Sequence, residues 1–215
     1  MTAKSQTWGG RTAAQRQAER RARLLEAAAE IWDEGGWASV TMRGVCARSG
    51  LIDRYFYESF ADRDALLAAV WDQVRDDMTA ALSTALTADP DGDPLEVLRQ
   101  AVTSVVFGVA LDPPRAQILF GDHAGSAVLE RRRRDLLITV TDVVVAGATG
   151  RLRSGIDETK FRRSVLIAVG GVLELVTAWR FGVFEAEAAE IIDDIVGFGA
   201  ILGAYYLPEG GTADT

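Results

Sequence analysis

Residues 40–60 read VTMRGVCARSGLIDRYFYESF, and this stretch predicts two short helices joined by a tight turn. Thr41 is suited to cap the first helix, because its hydroxyl can accept a hydrogen bond from a free amide of the first turn. Gly50 is expected to end that helix, since glycine adopts the left-handed backbone conformation without steric strain. A second helix restarts at Asp53 and carries cationic and aromatic side chains. This order is typical of a helix-turn-helix, whose second helix enters the major groove of DNA.

The segment around this motif, residues 23–71, resembles the DNA-binding head of the TetR family of transcriptional regulators. Three positions differ from the family pattern: Ile52 replaces a usual polar cap, Arg54 a common glycine and Ser59 a common histidine. The resemblance implies a ligand cavity among helices 4 to 8 and a dimer formed by the last two long helices. It rests on the order and spacing of Leu24-Leu25, Trp32, Gly35-Gly36, Thr41, Val45, Gly50-Leu51, Phe56-Tyr57, Phe60, Arg63 and Leu66-Leu67.

Composition narrows the class of protein. A chain of 215 residues, 48% hydrophobic and 25% charged, can bury a sizeable core. No stretch approaches the roughly 18 uninterrupted apolar residues of a membrane span. The N-terminus also lacks the apolar segment of a signal peptide, so we expect a cytoplasmic protein without a membrane partner. A single cysteine, Cys46, excludes an intramolecular disulfide, and a single histidine argues against a histidine-based metal or catalytic site.

The charge of the chain is unevenly distributed. The net charge is −8, but residues 1–63 carry ten Lys or Arg against eight Asp or Glu. Residues 64–215 carry thirteen against twenty-three, and the first 23 residues hold six basic groups and one acid. A basic arm beside a small head on an acidic body is typical of a protein that touches DNA phosphates with one end. A disordered, solubilising tail is the alternative interpretation of the arm.

Apolar periodicity and helix-end signals predict an all-α fold of about nine helices. The clearest break between them is the Asp-Pro-Asp-Gly-Asp-Pro segment at 89–94. The predicted domains are a flexible basic arm (1–18), a helix-turn-helix DNA-binding domain (19–65), a ligand-binding and dimerisation domain (66–208) and a flexible tail (209–215). The predicted helices cover 19–34, 42–49, 53–59, 62–86, 94–110, a short helix to about 121, 124–149, 157–182 and 187–206.

Seven head residues are predicted to contact double-stranded DNA. An arginine on the second helix can pair with guanine, and tyrosine hydroxyls there can donate to phosphates, although one of the two tyrosines can instead pack into the head. Residues at the amino end of the predicted helix 42–49, the first of the helix-turn-helix, can hold a phosphate beside the free amides of that helix. The set is Arg23, Thr41, Arg43, Arg54, Tyr55, Tyr57 and Arg63, with the family resemblance assigning Arg63 to phosphate.

The last two predicted helices, 157–182 and 187–206, are apolar nearly all round, which indicates burial on more than one side. Five glycines interrupt them, and each costs about 1 kcal/mol of helix stability relative to alanine. Close approach of two backbones offsets such a cost. We therefore expect a two-fold homodimer interface here, with a monomeric core pair as the alternative. The glycines are Gly170, Gly171, Gly197, Gly199 and Gly203.

The body is larger than a dimerisation device requires, and we expect a mostly apolar ligand cavity in it. Apolar and polar side chains of the predicted body helices are the candidate lining. Glu174, Thr177 and Arg180 recur every three residues and share one helix face. The candidates are Phe107, Phe120, His123, Val144, Glu174, Thr177, Trp179 and Arg180.

These expectations combine into a dimeric regulator that binds an inverted-repeat operator and is released from it by a small hydrophobic effector. Repression is the expected mode of control. Nucleotide-binding glycine loops and nucleophile motifs are absent from the sequence, so we expect no catalytic residues, no metal and no cofactor. A helical carrier protein and a helical enzyme acting on an apolar substrate are the alternatives. The basic arm and the Arg54-bearing helix argue against both, because neither has a use for them.

Overall fold

The computed structural model describes residues 12–89 and 91–208, and every regular element within these ranges is helical. The predicted all-α fold is confirmed. Short 3₁₀ turns precede the second helix at Trp37–Ser39 and follow the seventh at Thr149–Arg151. The nine described α-helices are α1 (Ala13–Gly35), α2 (Met42–Ser49), α3 (Asp53–Ser59), α4 (Arg63–Thr87), α5 (Pro94–Leu111), α6 (Pro113–Phe120), α7 (Ala127–Ala148), α8 (Glu158–Arg180) and α9 (Ala188–Tyr206).

Helices α1 to α3 form the head, and local signals set the bounds of α2 and α3. The Thr41 hydroxyl accepts from the Gly44 amide at 3.1 Å, which caps α2 as predicted. Gly50 ends α2 in the left-handed region with φ of +65°, and the next amide, of Leu51, donates back to the Cys46 carbonyl. The chain thus reverses in three residues before α3 starts. The predicted bounds 42–49 and 53–59 are those observed.

The first helix is longer than predicted and begins at Ala13, six residues before the expected start at 19. Thr12 accepts from the Gln15 amide, and the Gln15 side chain accepts from the Thr12 amide, so the two residues form a reciprocal capping box. Residues 13–18 of the predicted flexible arm are therefore helical. The rest of the arm (1–11), the tail (209–215) and Pro90 of the predicted break lie outside the described residues.

Helix α4 connects the head to the body without interruption. Its 25 residues extend about 37 Å at the usual rise of an α-helix. Leu66 and Trp71 near its start are fully buried, and Leu82 near its far end is also buried. One continuous apolar cluster contains all three together with core residues of α1, α6 and α7. Head and body therefore share a core.

The body is a bundle in which α4 packs against α5 and α7, α5 against α9, and α7 against α8. A second apolar cluster forms between α5 and α9 around Val106 and Ile191. By length and composition, α5 is apolar enough to cross a membrane. In this fold α5 packs between α4 and α9 of the bundle.

Candidate nucleic-acid interface and ligand cavity

Helix α3 presents two of the predicted DNA contacts to solvent. The Arg54 side chain is 79% exposed, and Tyr57 is 60% exposed with its ring edge-on to the buried Phe56. Arg54 Nε donates to Glu58 of the same helix at 2.9 Å, which holds the guanidinium along the helix surface. A base or phosphate that recruits Arg54 must compete with this exposed pair, which contributes little to stability.

Tyr55 lies differently from Tyr57, although both were predicted to face DNA. It is half-buried, and the Arg20 guanidinium of α1 lies over its ring at 4.4 Å. Arg20 also reaches Glu58, at 3.4 Å. Tyr55 therefore packs α3 against α1 inside the head. Arg20, which the sequence analysis did not single out, is the partner that fixes this orientation.

The amino end of α2 has the form expected for a phosphate site. Arg43 lies exposed in its first turn, and no ion pair of Arg43 occurs among the described residues. Thr41 uses its hydroxyl oxygen to accept from Gly44, so that its own proton stays free to donate. These two residues and the free amides of the first turn of α2 can together bind one phosphate group.

Two further arginines join the carboxyl end of α2 to α1. Arg23 of α1 donates to the Ser49 carbonyl at the carboxyl end of α2. Arg48 is bound through two hydrogen bonds to Glu34, at 2.8 and 2.7 Å, and through a third to Glu30. These hydrogen bonds raise the pKa of Arg48 and lower that of Glu34. Both arginines attach the helix-turn-helix to α1.

Arg63, predicted to contact phosphate, has a structural position in the head. Its guanidinium donates to the carbonyls of Trp37 at 2.6 Å and Ala38 at 3.3 Å, and to that of Val40. It also lies over the Trp37 ring, 5.3 Å from the centroid. Arg63 therefore fixes the 3₁₀ turn that leads into α2, and any phosphate contact comes in addition to this function.

A cavity of about 230 Å³ lies within the body between α4, α5, α7, α8 and α9. Its walls are almost wholly apolar, and Arg151 is the one charged residue among the described lining. Arg151 itself donates to the carbonyls of Asp89 and Gly92, beside the turn between α4 and α5. The Tyr206 hydroxyl, also at the lining, bonds to Ser164 at 2.7 Å. The cavity thus suits a hydrophobic molecule with few polar atoms.

Two of the eight predicted ligand residues, Phe120 and Val144, line this cavity. The other six do not line it, and their exposure or their hydrogen-bond partners show where they lie instead. Phe107 is 41% exposed, Glu174 pairs with Arg133, the Thr177 hydroxyl donates to the Leu173 carbonyl, and Trp179 donates to the Ala186 carbonyl. Arg180 reaches Gln117 of α6 at 3.3 Å, and His123 is buried beside the head.

The position of each residue around and along α8 explains why three of the predicted residues do not line the cavity. The residues of α8 that line the cavity recur in steps of one, three and four, which places them in one stripe on one side of the helix. Glu174 and Thr177 lie at or beyond the edge of this stripe. Arg180, four residues after Val176, continues the stripe past the end of the cavity and reaches Gln117 of α6. Because α8 is apolar nearly all round, its sequence does not mark the inner stripe. That stripe consists of Phe161, Val165, Ala168, Val169, Val172, Leu173 and Val176.

A second cavity of about 200 Å³ adjoins the first between α4, α5 and α6. Met78, Val105 and Phe120 line both cavities and separate them. The second cavity has a charged mouth, where Arg115 of α6 pairs with Asp77 of α4. A ligand in either cavity therefore touches α4 and, through Phe120, α6.

The head and the body meet at the turn between α6 and α7. His123 of this turn is 4% exposed and lies against Trp32 of α1. The Trp37 indole nitrogen donates to the Asp122 carbonyl at 3.2 Å. Neither ring nitrogen of His123 has a hydrogen-bond partner within geometric limits, and burial lowers its pKa. The residue predicted to bind ligand is instead part of the head–body contact.

The sequence of the head matches a family model for bacterial regulatory proteins of the tetR family over residues 24–70. This range runs from the middle of α1 into α4 and contains the whole helix-turn-helix. Residues 24–70 form a TetR-family head. The resemblance predicted from the sequence is confirmed.

Solved structures of TetR-family regulators share the fold of most of the chain. SmeT, the repressor of a multidrug efflux pump of Stenotrophomonas maltophilia, superposes with a TM-score of 0.65 at 20% identity, covering 91% of this chain and 94% of SmeT. FadR from Bacillus subtilis, solved with stearoyl-CoA, has a TM-score of 0.64 at 14% identity, covering 82% and 96%. SmeT with triclosan has a TM-score of 0.62 at 22% identity, covering 89% and 93%. No curated protein matches at the sequence level.

The outer face of α8 and α9 lies away from the cavity. It exposes large apolar side chains, of which Ile167 and Ile201 are 73% and 68% exposed. A Cβ added to Gly171 or Gly197 would meet no atom within 4 Å, so both glycines face open space. Gly199 behaves differently, since its Cβ would collide with Leu98 of α5. Gly199 was predicted to allow approach of a partner, but it allows approach of α5 within the chain.

Proposed function

We propose that this protein is a dimeric transcriptional repressor that binds an inverted-repeat operator and leaves it when a small hydrophobic molecule fills the body cavity. The observation that carries the proposal is the exposed pair Arg54 and Tyr57 on the second helix of a TetR-family head. Arginine is suited to guanine, and the tyrosine hydroxyl to phosphate. As a DNA-binding regulator the protein would act in the cytoplasm.

The exposed apolar face of α8 and α9 supports the dimer. Ile167, Phe198, Ile201 and Tyr205 are all substantially exposed on these two helices. A contiguous apolar face of this kind is typical of a protein–protein contact. A two-fold dimer places two heads side by side and therefore requires a DNA site with two inverted halves.

The apolar walls of the main cavity support the effector class. Triclosan, which one solved structure of SmeT contains, is hydrophobic, and the stearoyl-CoA in that of FadR carries a long apolar acyl chain. The same physical preference follows for this chain from its own lining, in which Arg151 is the one charged residue described. Aromatic and acyl compounds are therefore the first effectors to test.

The coupling of cavity and head follows from shared helices. Helix α4 carries Leu66 in the head core and Leu82 in the cavity wall. Helix α6 carries Phe120 in both cavity walls and packs against α1 of the head. A ligand that binds one arrangement of these helices more tightly than another shifts the equilibrium between two separations of the heads. The size of the shift is set by the ratio of the two ligand affinities. DNA affinity falls by the same factor.

Salt-dependent DNA binding tests the proposal. Full-length protein and a labelled random duplex are titrated at several salt concentrations, with fluorescence anisotropy as the readout. The logarithm of affinity is expected to fall linearly with the logarithm of salt, at about 0.9 per phosphate contacted. An absence of DNA affinity at low salt would refute the proposed function.

A further inference from the structure

The start of α3 breaks a rule that the other helices obey. Among the nine described α-helices, eight have a polar or charged residue at the N-cap, and most of these side chains bind a first-turn amide. The N-cap of α3 is Ile52, which makes no side-chain cap bond. An apolar residue at this position leaves amides of the first turn without a partner and lowers helix stability.

Ile52 is also exposed to solvent. Its exposed fraction is 62%, and Tyr57 at 60% is the one other exposed large hydrophobic side chain described in the head. Both belong to the α3 segment, with the exposed Arg54 between them. Phe56 and Phe60 of the same segment are buried, and Met42 and Leu51 are half-buried. Isoleucine therefore contributes neither a cap nor core packing in the free protein.

The exposure of Ile52 favours an apolar partner that covers it when α3 is bound. The first residues of a recognition helix lie nearest the base edges in the major groove. The apolar group exposed on those edges is the C5-methyl group of thymine. We infer that Ile52 is a specificity-determining residue that packs on a thymine methyl group, next to the base that Arg54 reads. This inference rests on the proposed function, since it requires α3 to enter the groove.

The contact inferred for Ile52 differs in its dependence on DNA sequence from the contacts of the charged residues around it. Phosphate contacts position the head on any sequence, whereas a methyl contact distinguishes thymine from uracil at a single position. Removal of one methyl group from a buried contact costs about 0.8 kcal/mol, equivalent to about a fourfold loss of affinity. Such a loss is measurable and should vanish when the isoleucine is removed.

The experiment begins with selection of duplexes from a random 20-base-pair library by the full-length protein. Each thymine of one half-site in the selected duplex is then replaced by deoxyuridine, and affinity is measured by fluorescence anisotropy. For the native protein, one replacement is expected to weaken binding about fourfold. For Ile52→Ala and Ile52→Ser, the same replacement should have no effect. Ile138→Ala, which removes an isoleucine 51% exposed on α7, is the matched control and should respond as the native protein does.

The outcomes distinguish the inference from the proposed function. Failure to enrich any sequence would refute DNA recognition itself. Enrichment without a uracil effect, or with the same effect in Ile52→Ala, would overturn the role of Ile52 and leave DNA binding intact. Thermal unfolding provides a second test, because Ile52→Ser supplies a cap and should raise the melting temperature. A lower melting temperature would show that Ile52 serves the fold and would also overturn the inference.

Discussion

The imidazole ring of His123 packs edge-on against the indole ring of Trp32, with the ring centroids 6.1 Å apart. The pair joins α1 of the head to the turn between α6 and α7. Burial lowers the pKa of His123, and the nearby Arg133 lowers it further, whereas the Ile118 carbonyl and Asp122 act in the opposite direction. The head–body contact therefore contains the neutral form of the chain's single histidine.

Stability should depend on pH through this residue. The unfolded chain carries an ordinary histidine with a pKa of about 6.5, whereas the folded chain has a lower value. The unfolded state thus binds more protons at mildly acidic pH, so the free energy of unfolding should fall as pH drops below about 6.5. Urea denaturation between pH 7.5 and 5.5 measures this fall, and His123→Phe should reduce it. Equal pH dependence in both proteins would contradict the prediction.

Arg63→Ala should destabilise the head by about 2 kcal/mol, because charged hydrogen bonds to carbonyls are lost. Arg63→Lys tests the structural role more sharply, since lysine keeps the charge but cannot bind three carbonyls in one plane. We expect Arg63→Lys also to lose stability in urea denaturation. If lysine restored full stability and full DNA affinity, the residue would serve mainly as a phosphate contact.

Arg54→Ala should weaken binding to the selected operator by about 1–3 kcal/mol and relax base choice at one position per half-site. Tyr57→Phe should reduce affinity on all sequences alike, as expected for a phosphate contact. Competition between operator and random duplexes measures both effects. Arg134→Ala, an exposed body position, serves as the control. Equal losses on the two duplexes for Arg54→Ala would assign this residue to phosphate.

Gly171→Leu and Gly199→Leu should have different consequences, although both glycines lie on the apolar last helices. Leucine at Gly171 projects into open space on the outer face and should block a dimer while leaving the protomer folded. Leucine at Gly199 collides with Leu98 of the same chain and should destabilise the protomer by about 1–3 kcal/mol. Sedimentation together with thermal unfolding separates the two effects. A Gly171→Leu protein that sediments as the native one does would place the dimer contact elsewhere.

Val144→Trp should abolish the response to effectors while keeping DNA affinity, because the larger side chain occupies the 230 Å³ cavity. Triclosan and stearoyl-CoA are suitable first probes, measured by their effect on operator binding. A typical effector coupling of 1–3 kcal/mol would lower the affinity of the native protein about 5- to 150-fold. Ile138→Trp, exposed on the same helix, is the control. A Val144→Trp protein that responds normally would exclude this cavity as the effector site.

The sequence predicted the head better than the cavity, and the reason is the range of the interactions. Thr41 and Gly50 act within one turn of α2, so local signals suffice to place the helix ends. The start of α1 depends equally on a local cap at Thr12, but the polar residues that follow it lack the apolar periodicity used to recognise a helix. On α3 the sequence left open which of the two tyrosines packs into the head. The structure identifies it as Tyr55, which lies under Arg20 of another helix.

The cavity depends on contacts that sequence periodicity does not contain. Void space is what remains after five helices pack, and no single helix specifies it. Phe120 and Val144 line the cavity, as expected for large apolar residues, which favour the interior. Glu174 lies outside the lining, and a helix with apolar residues on every side does not reveal which stripe faces inward. Arg180 lies on the stripe but beyond the cavity, and a helical pattern does not show where a cavity ends.

The burial of Cys46 has a practical consequence for the study of this head. The chain's single thiol is 5% exposed in α2, and burial raises its pKa. An alkylating reagent attacks the thiolate and needs access to it, so reaction requires α2 to separate from its neighbours. The rate of alkylation therefore reports how often the helix-turn-helix opens, without an engineered label. A duplex that holds the head closed should slow this reaction in proportion to its occupancy.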